Sequence, residues 1–400
     1  MSTSLDTDQT RPLSSRLLPG VPLVESPLFA QSLDAIKLSE AERAIAVQLN
    51  TDGYAVFDFP DAEIDARIDR IKANLTPRYD ADLSDPEALG QHANLRIQDA
   101  WRFDADVLAI ATNEQVLALL GKLYGRRAIP FQTLNFPVGT QQRAHTDAAH
   151  FSSQPERFMC GVWLAMEDIT AESGPLVYYP GSQKWPVVSN AMIGRRGWKS
   201  KHASAQTPFE EVWSAMATAQ AIEPATFLAR KGQALIWAAN LLHGGSVRTD
   251  LKRTRWSQVS HYYFADCIYY TPAFSDEPLG RLDLRTITNV ATGAVEPNML
   301  SGEPIAPAQF SGAVHARRLW SRLFKRSSRA EPIMASPRAN GQETLEPTTT
   351  RLPADFDPAG YLERNPDVAS ALQDPISHYL AHGRREGRSY RDLDPVSAEV

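Results

Sequence analysis

From about residue 128 to residue 264 the chain consists of short runs of β-forming residues broken by turn signals. Phe131–Phe136 runs into Pro137-Val138-Gly139, and Leu176–Tyr179 into Pro180-Gly181-Ser182. Further runs occupy Met159–Met166, Gln233–Trp237 and Thr254–Phe264. Strands of this length at this spacing read as an antiparallel sandwich or barrel. Residues 186–220 interrupt the pattern with Trp198, Trp213 and a helical stretch, an insertion of the kind that can form a lid over a site.

Helices are expected before the sheet. Over Leu38–Leu49 the pattern is helical, with Ser39 as a cap ahead of Glu40 and Glu42. Gly53–Phe59 is β-branched and aromatic and is stopped by Pro60, so it reads as a strand. Residues 61–75 and 105–124 are expected to be helical. The second carries Val107, Leu108, Ile110, Val116, Leu119, Leu120 and Leu123, an apolar face suited to backing a sheet. The expected class is therefore mainly β with flanking helices (α+β). Residues 1–30 are rich in Ser, Thr and Pro without a period and read as a flexible tail ahead of a main domain over 31–311. In residues 312–352, Val314, Leu319, Trp320, Leu323 and Phe324 make an apolar stripe among arginines, followed by a Ser/Pro/Thr linker. A compact helical module is expected over 353–390.

Charge and cysteine content narrow the setting. The chain has 400 residues, 41 Lys and Arg against 47 Asp and Glu, and a formal net charge of −6, which argues against a nucleic-acid partner. Its two cysteines, Cys160 and Cys267, are too few for a disulfide framework or an all-cysteine zinc site. A reducing, cytoplasmic location is expected. No signal-peptide core is seen, and the most apolar run, Gly232–Leu242, is too short to span a bilayer. The basic stripe at 314–326 leaves weak peripheral contact with an anionic membrane open, although packing of its apolar side on the main domain is the simpler reading.

Nine histidines yield one His-x-Asp, His145-Thr146-Asp147. Chance supplies about half such a match, so its context matters. On extended chain, residues two apart share a face, which sets an imidazole beside a carboxylate. His243 is the best third candidate: it follows the apolar run Ala234–Trp237 and precedes Gly244-Gly245, where backbone or ligand could approach closely. Two histidines and a carboxylate on one face of an octahedron leave three positions open, the ligand set of non-heme Fe(II) oxygenases. Downstream, Arg255 and Ser257 share a strand face and suit the far end of a dicarboxylate whose near end chelates the metal. His150 points away from His145 in an unbroken strand and reads as packing. His261 reads as a buried, hydrogen-bonded histidine, Trp237 as core, and Arg253 as a solvated or salt-bridged charge.

These pieces resemble the phytanoyl-CoA dioxygenase-like iron/2-oxoglutarate oxygenases. The resemblance rests on Phe131–Thr140, His145-Thr146-Asp147, Cys160–Ile169, Gly174-Pro175-Leu176, Pro180–Lys184, His243-Gly244-Gly245, and Arg255 ahead of His261-Tyr262. It covers roughly residues 40–270. It implies a double-stranded β-helix (a jelly roll) in which His145, Asp147 and His243 bind Fe(II) and Arg255 holds the distal carboxylate of 2-oxoglutarate. Gln132, Trp163 and Asn135 match positions lining the co-substrate pocket; some relatives carry a Ser where Gly245 stands here, and Ser257 or Ser246 is a candidate for that supporting hydroxyl. The implied reaction consumes O2 and 2-oxoglutarate, hydroxylates an unactivated C–H bond, and releases succinate and CO2.

The last segment, Phe356–Ala369 with Asp374–Leu380 and His382–Arg388, resembles a small helical module appended to bacterial glycosyltransferases and other surface-polysaccharide proteins. That implies a bacterial source and a setting in glycan or cell-envelope metabolism, and the substrate expected of the whole chain is a small molecule or a glycan-linked or lipid-linked metabolite. His378 and His382 lie four apart on this helix and read as packing or solvated residues before ligands. Two other classes stay open from sequence: a non-catalytic jelly-roll adaptor, and a cupin-like metal-dependent hydrolase or isomerase. Arg255 with Ser257 separates them, because a hydrolase has no need of a carboxylate anchor on that strand.

Overall fold

The computed structural model describes residues 11–79, 81–85, 87, 89, 95–197, 206–305, 356–365, 368, 379 and 388–390. The chain divides into two units, residues 1–199 with 206–310, and residues 200–205 with 311–400. The expected basic stripe at 314–326, the linker, Trp198, His378 and His382 lie outside the described residues.

In the first unit the main helices are α1 (Glu40–Asp52), α2 (Ile64–Leu75), α3 (Ala105–Ala111), α4 (Glu114–Tyr124) and α5 (Thr207–Ala219). The strands are β1 (Tyr54–Asp58), β2 (Ile97–Gln98), β3 (Ala128–Phe136), β4 (Ser152–Gln154), β5 (Met159–Ala165) and β6 (Leu176–Tyr178). They continue as β7 (Ala225–Phe227), β8 (Gln233–Ala238), β9 (His243–Gly245), β10 (Ser257–Phe264) and β11 (Ile268–Tyr270). α1 opens as its sequence demands: Ser39 Oγ accepts from Glu42 N–H while Glu42 Oε2 accepts from Ser39 N–H. The stretch read as one helix over 105–124 is two. Asn113 Oδ1 accepts from the N–H groups of Gln115 and Val116 and starts a new helix there.

Six strands form one sheet in the order β1-β8-β5-β10-β3-β2, and three form another in the order β7-β6-β9. His145 adds to the second sheet by bridging His243. From β3 through β10 the chain crosses back and forth between these two antiparallel sheets, turning back within the smaller one at β6–β7, which is a double-stranded β-helix. Register assigns the faces. Leu134, Val259, Trp163 and Leu235 lie in one row across β3, β10, β5 and β8. They pack with Phe227, Tyr178 and Ile169 between the sheets. The alternate residues, among them Val162, Leu164, Ala234 and Ile236, face the helices through a second core with Ile68, Val107, Leu120 and Leu123. Both faces of the large sheet are therefore covered, so every residue of β3 is buried rather than every second one.

The reading of residues 1–30 as a flexible tail is corrected over the part described. Leu23, Val24 and Phe29 belong to the helix-side core. Ser14 Oγ hydrogen-bonds Ser26 and Ser32, and Glu25 pairs with Arg157 at 2.9 Å. The segment packs as single helical turns, Leu13–Leu17 and Phe29–Ser32 among them, too short to leave a period in the sequence. In the second unit, Pro358–Arg364 is helical, and Tyr361, Val368 and Tyr379 form a small apolar cluster with Phe356.

Gly161, in the middle of β5, leaves room for the Trp237 ring: a Cβ there would sit 2.1 Å from the indole. Gly161→Ala is expected to destabilise the fold by about 1–3 kcal/mol, read as a lower urea midpoint. An unchanged midpoint would show that the indole turns aside freely.

Candidate metal centre

The two histidines meet because their backbones pair. His145 N–H donates to His243 O at 2.8 Å and His243 N–H donates to His145 O at 2.9 Å, so their side chains are cross-strand neighbours with ring centroids 4.5 Å apart. The glycines after His243 permit this approach. A Cβ on Gly244 would lie 2.7 Å from Gln142 O, and one on Gly245 would lie 3.0 Å from Gln141 N. Thr146 is extended (φ −110°, ψ 139°), which returns Asp147 to the side of His145.

His145, Asp147 and His243 are all buried, and one ligand atom from each lies within 4.8 Å of the others. Asp147 Oδ1 is 3.8 Å from His145 Nε2, and its Oδ2 is 4.0 Å from His243 Nε2. Each histidine spends its other nitrogen on a carbonyl. His145 Nδ1 is 2.9 Å from Arg143 O, and His243 Nδ1 is 3.0 Å from Leu241 O. Nδ1 therefore carries the proton, and the Nε2 lone pairs face inward, the tautomer that metal ligation requires.

Electrostatics keep His145 and Asp147 in ligating form. Burial, reinforced by His243, pushes the His145 imidazolium down to about 3, so the ring is neutral at pH 7. Burial works to raise the Asp147 carboxyl, but His243, His261, His145 and the Trp237 N–H together hold it below the usual carboxylate range. Trp237 Nε1 donates to Asp147 Oδ2 at 2.7 Å. His261 stands behind, with Nε2 3.7 Å from the same oxygen and Nδ1 donating to Gln132 Oε1 at 3.0 Å. The Gln142 amide lies 3.2 Å from His145 Nε2 and must turn away before that atom can bind an ion.

Arg255 and Ser257 lie further along the same interior. Arg255 is 3 % exposed, its Cζ is 5.6 Å from the Trp163 ring, and burial pushes its guanidinium down to about 10. Its Nε and the Ser257 hydroxyl have no hydrogen-bond partner. Glu167 is committed elsewhere, accepting from Lys72 Nζ and Trp256 N–H. A buried cation and hydroxyl left in this state are disposed toward an anion.

Of the positions the resemblance suggested for the pocket, Gln132 and Trp163 share the inner face with the triad. Asn135 does not. It lies an odd number of residues from Gln132, so the pleat turns it outward, where its Nδ2 donates to Gln258 Oε1 at 3.2 Å. His150 is half-buried against Gln206, and Arg253 pairs with Asp250 at the surface. The sequence reading missed two contributors. Trp237 reads as core from its apolar strand, though the mid-strand Gly161 signals a close approach there. Gln142 carries no such signal.

Fold and donor set together define a double-stranded β-helix with a candidate metal centre. The chain belongs to the phytanoyl-CoA dioxygenase family, whose model matches residues 49–254, and with it to the oxygenase class of enzymes. The match includes His145, Asp147 and His243 and stops one residue short of Arg255. Similar solved structures include EctD from S. alaskensis with 2-oxoglutarate and 5-hydroxyectoine (19% identity, 66% of this chain and 87% of that one, TM-score 0.45). Others are the epimerase SnoN with Fe3+, alpha ketoglutarate and nogalamycin RO (19%, 66% and 96%, 0.44), and the alpha ketoglutarate dependent carbocyclase SnoK (14%, 58% and 87%, 0.44). No curated protein matches the chain in sequence. Among the described residues no helix is long and apolar enough to cross a membrane.

Proposed function

We propose that the chain is a non-heme Fe(II)- and 2-oxoglutarate-dependent dioxygenase that hydroxylates an unactivated C–H bond of a small molecule or a glycan- or lipid-linked metabolite. His145, Asp147 and His243 would hold the iron, and Arg255 with Ser257 would hold the distal carboxylate of 2-oxoglutarate. The observation that carries this reading is the pairing of a buried His/Asp/His cluster with a buried, unpaired Arg255 inside one β-helix. The row Val259–Trp163–Leu134 lies between the two ends, with Ser257 and His261 on either side of it along one face of β10. A hydrolase on the same triad gives no use to a desolvated guanidinium there.

When bound, iron with 2-oxoglutarate and O2 supplies the oxidising power for C–H cleavage, with succinate and CO2 as by-products. The protein's part is orientation. The carbonyls of Arg143 and Leu241 hold the imidazoles in register, Trp237 fixes one carboxylate oxygen, and the aromatic walls exclude water. Formation of succinate from 2-oxoglutarate, with Fe(II) and ascorbate, tests the reading. Failure to bind 2-oxoglutarate at all would favour the adaptor alternative.

Trp237→Phe keeps the ring and removes the N–H. Loss of such an outer partner is expected to weaken metal binding about 10- to 100-fold with the thermal midpoint little changed. Metal titration of the variant checks this, and unaltered affinity would reduce Trp237 to packing.

A further inference from the structure

Beyond the triad, on the side away from Arg255, a second cation stands without a counter-ion. The Arg285 guanidinium lies over Phe151, Cζ to ring centroid 4.7 Å, and Phe151 packs on His261 at 5.3 Å. His261 in turn faces Asp147. Among the described residues Arg285 meets Thr271 Oγ1 at 3.3 Å and His150 O at 3.5 Å, and no carboxylate comes within ion-pair distance. Its Nε is buried without a partner.

A second orphan is independent of the first. Tyr263 is fully buried on the inner side of β10, two residues beyond His261 and hence on its face, and its hydroxyl has no hydrogen-bond partner. Its ring stacks on Phe131 at 4.3 Å, and Phe131 packs against Phe151 and His261. Arg285 and Tyr263 thus rest on the two rings of one aromatic pair, Phe151 and Phe131, whose centroids are 5.6 Å apart. The groups facing Arg285 are thus rings, a neutral hydroxyl and a carbonyl, together with His150 and His261, both held neutral at pH 7 by burial. Nature leaves a donor pair of this kind unsatisfied where a ligand completes it.

We propose that Arg285, with the Tyr263 hydroxyl, binds the carboxylate of the substrate, so that the chain oxidises an organic acid whose apolar body lies along Phe131 and Phe151. This rests on the dioxygenase reading above and adds the substrate class to it. Arg255 and Arg285 then divide the labour: one takes the co-substrate and the other the substrate, with the triad between them. Arg285 is a specificity-determining residue.

The test is calorimetric and needs no turnover. Full-length protein, anaerobic and loaded with Mn(II), is first titrated with 2-oxoglutarate. At saturation it is titrated with sodium benzoate and, separately, with benzamide, which keeps the shape without the charge. Benzoate is expected to bind at least about tenfold tighter than benzamide, as for a charge-assisted bond over a neutral one. Arg285→Gln is expected to abolish that preference, Arg285→Lys to restore part of it, and Tyr263→Phe to weaken benzoate about threefold. All three variants should bind 2-oxoglutarate within about twofold of wild type. The proposal is overturned if wild type binds benzoate no better than benzamide or binds neither. It is equally overturned if Arg285→Gln leaves benzoate unmoved, or if benzoate displaces 2-oxoglutarate and is lost in Arg255→Gln. The parent reading fails separately, in the first titration, if 2-oxoglutarate does not bind.

Discussion

Asp147→Ala is expected to leave the protein folded and without iron. The carboxylate is the only anionic donor of the three, and it sits where two imidazoles have already been brought to a centroid separation of 4.5 Å. Without it, a divalent ion would enter a buried site holding two neutral nitrogens and no charge to offset its desolvation. The loss should exceed the about 10- to 100-fold that follows removal of an outer partner. Metal analysis after gel filtration should therefore find the variant empty, and succinate formation should fall to background. The backbone pair between His145 and His243 does not involve Asp147, so the circular dichroism spectrum should be unchanged. Iron retained at the wild-type level would remove Asp147 from the ligand set. The Trp237 N–H, relieved of its acceptor, would then need another explanation.

The parts legible from sequence share a physical character: each depends on short-range geometry. The two-residue spacing of His145 and Asp147 needs only an extended Thr146, and Gly244-Gly245 announces a close backbone approach, here by residues 141–144. Turn signals between β-runs were enough for an antiparallel sandwich or barrel, and the family resemblance narrowed that to the jelly roll. Long-range register was not legible. Asn135 lies within a well-matched run, yet three residues of pleat from Gln132 put it on the helix side. Trp237 looks apolar in an apolar strand, and only the bridge of His145 to His243 across from it reveals that its N–H meets Asp147. Residues 11–30 misled for a related reason. Single helical turns held by serine hydroxyls and by Leu23, Val24 and Phe29 have no period to detect.

Arg255→Gln is expected to separate the two halves of the proposed centre. The guanidinium is buried, its Nε is unpartnered, and the nearest acid, Glu167, already serves Lys72 and Trp256. A co-substrate carboxylate docking there would gain a charge-assisted bond in a low-dielectric pocket, worth about 2–3 kcal/mol, or roughly 30- to 150-fold in affinity. Glutamine retains a donor and most of the volume, so Trp163 and Val259 should stay packed and the fold should hold. The concentration of 2-oxoglutarate needed for half-saturation should rise by that factor, while Mn(II) affinity in the absence of 2-oxoglutarate stays within about threefold, because Arg255 is not among the triad's donors. The asymmetry is the informative result. Parallel losses of metal and co-substrate would mean that Arg255 supports the fold rather than the ligand. Intact affinity for both would move the anchor to another cation, and Arg248, which is buried beside Arg255 and acts on its charge, would become the residue to substitute next.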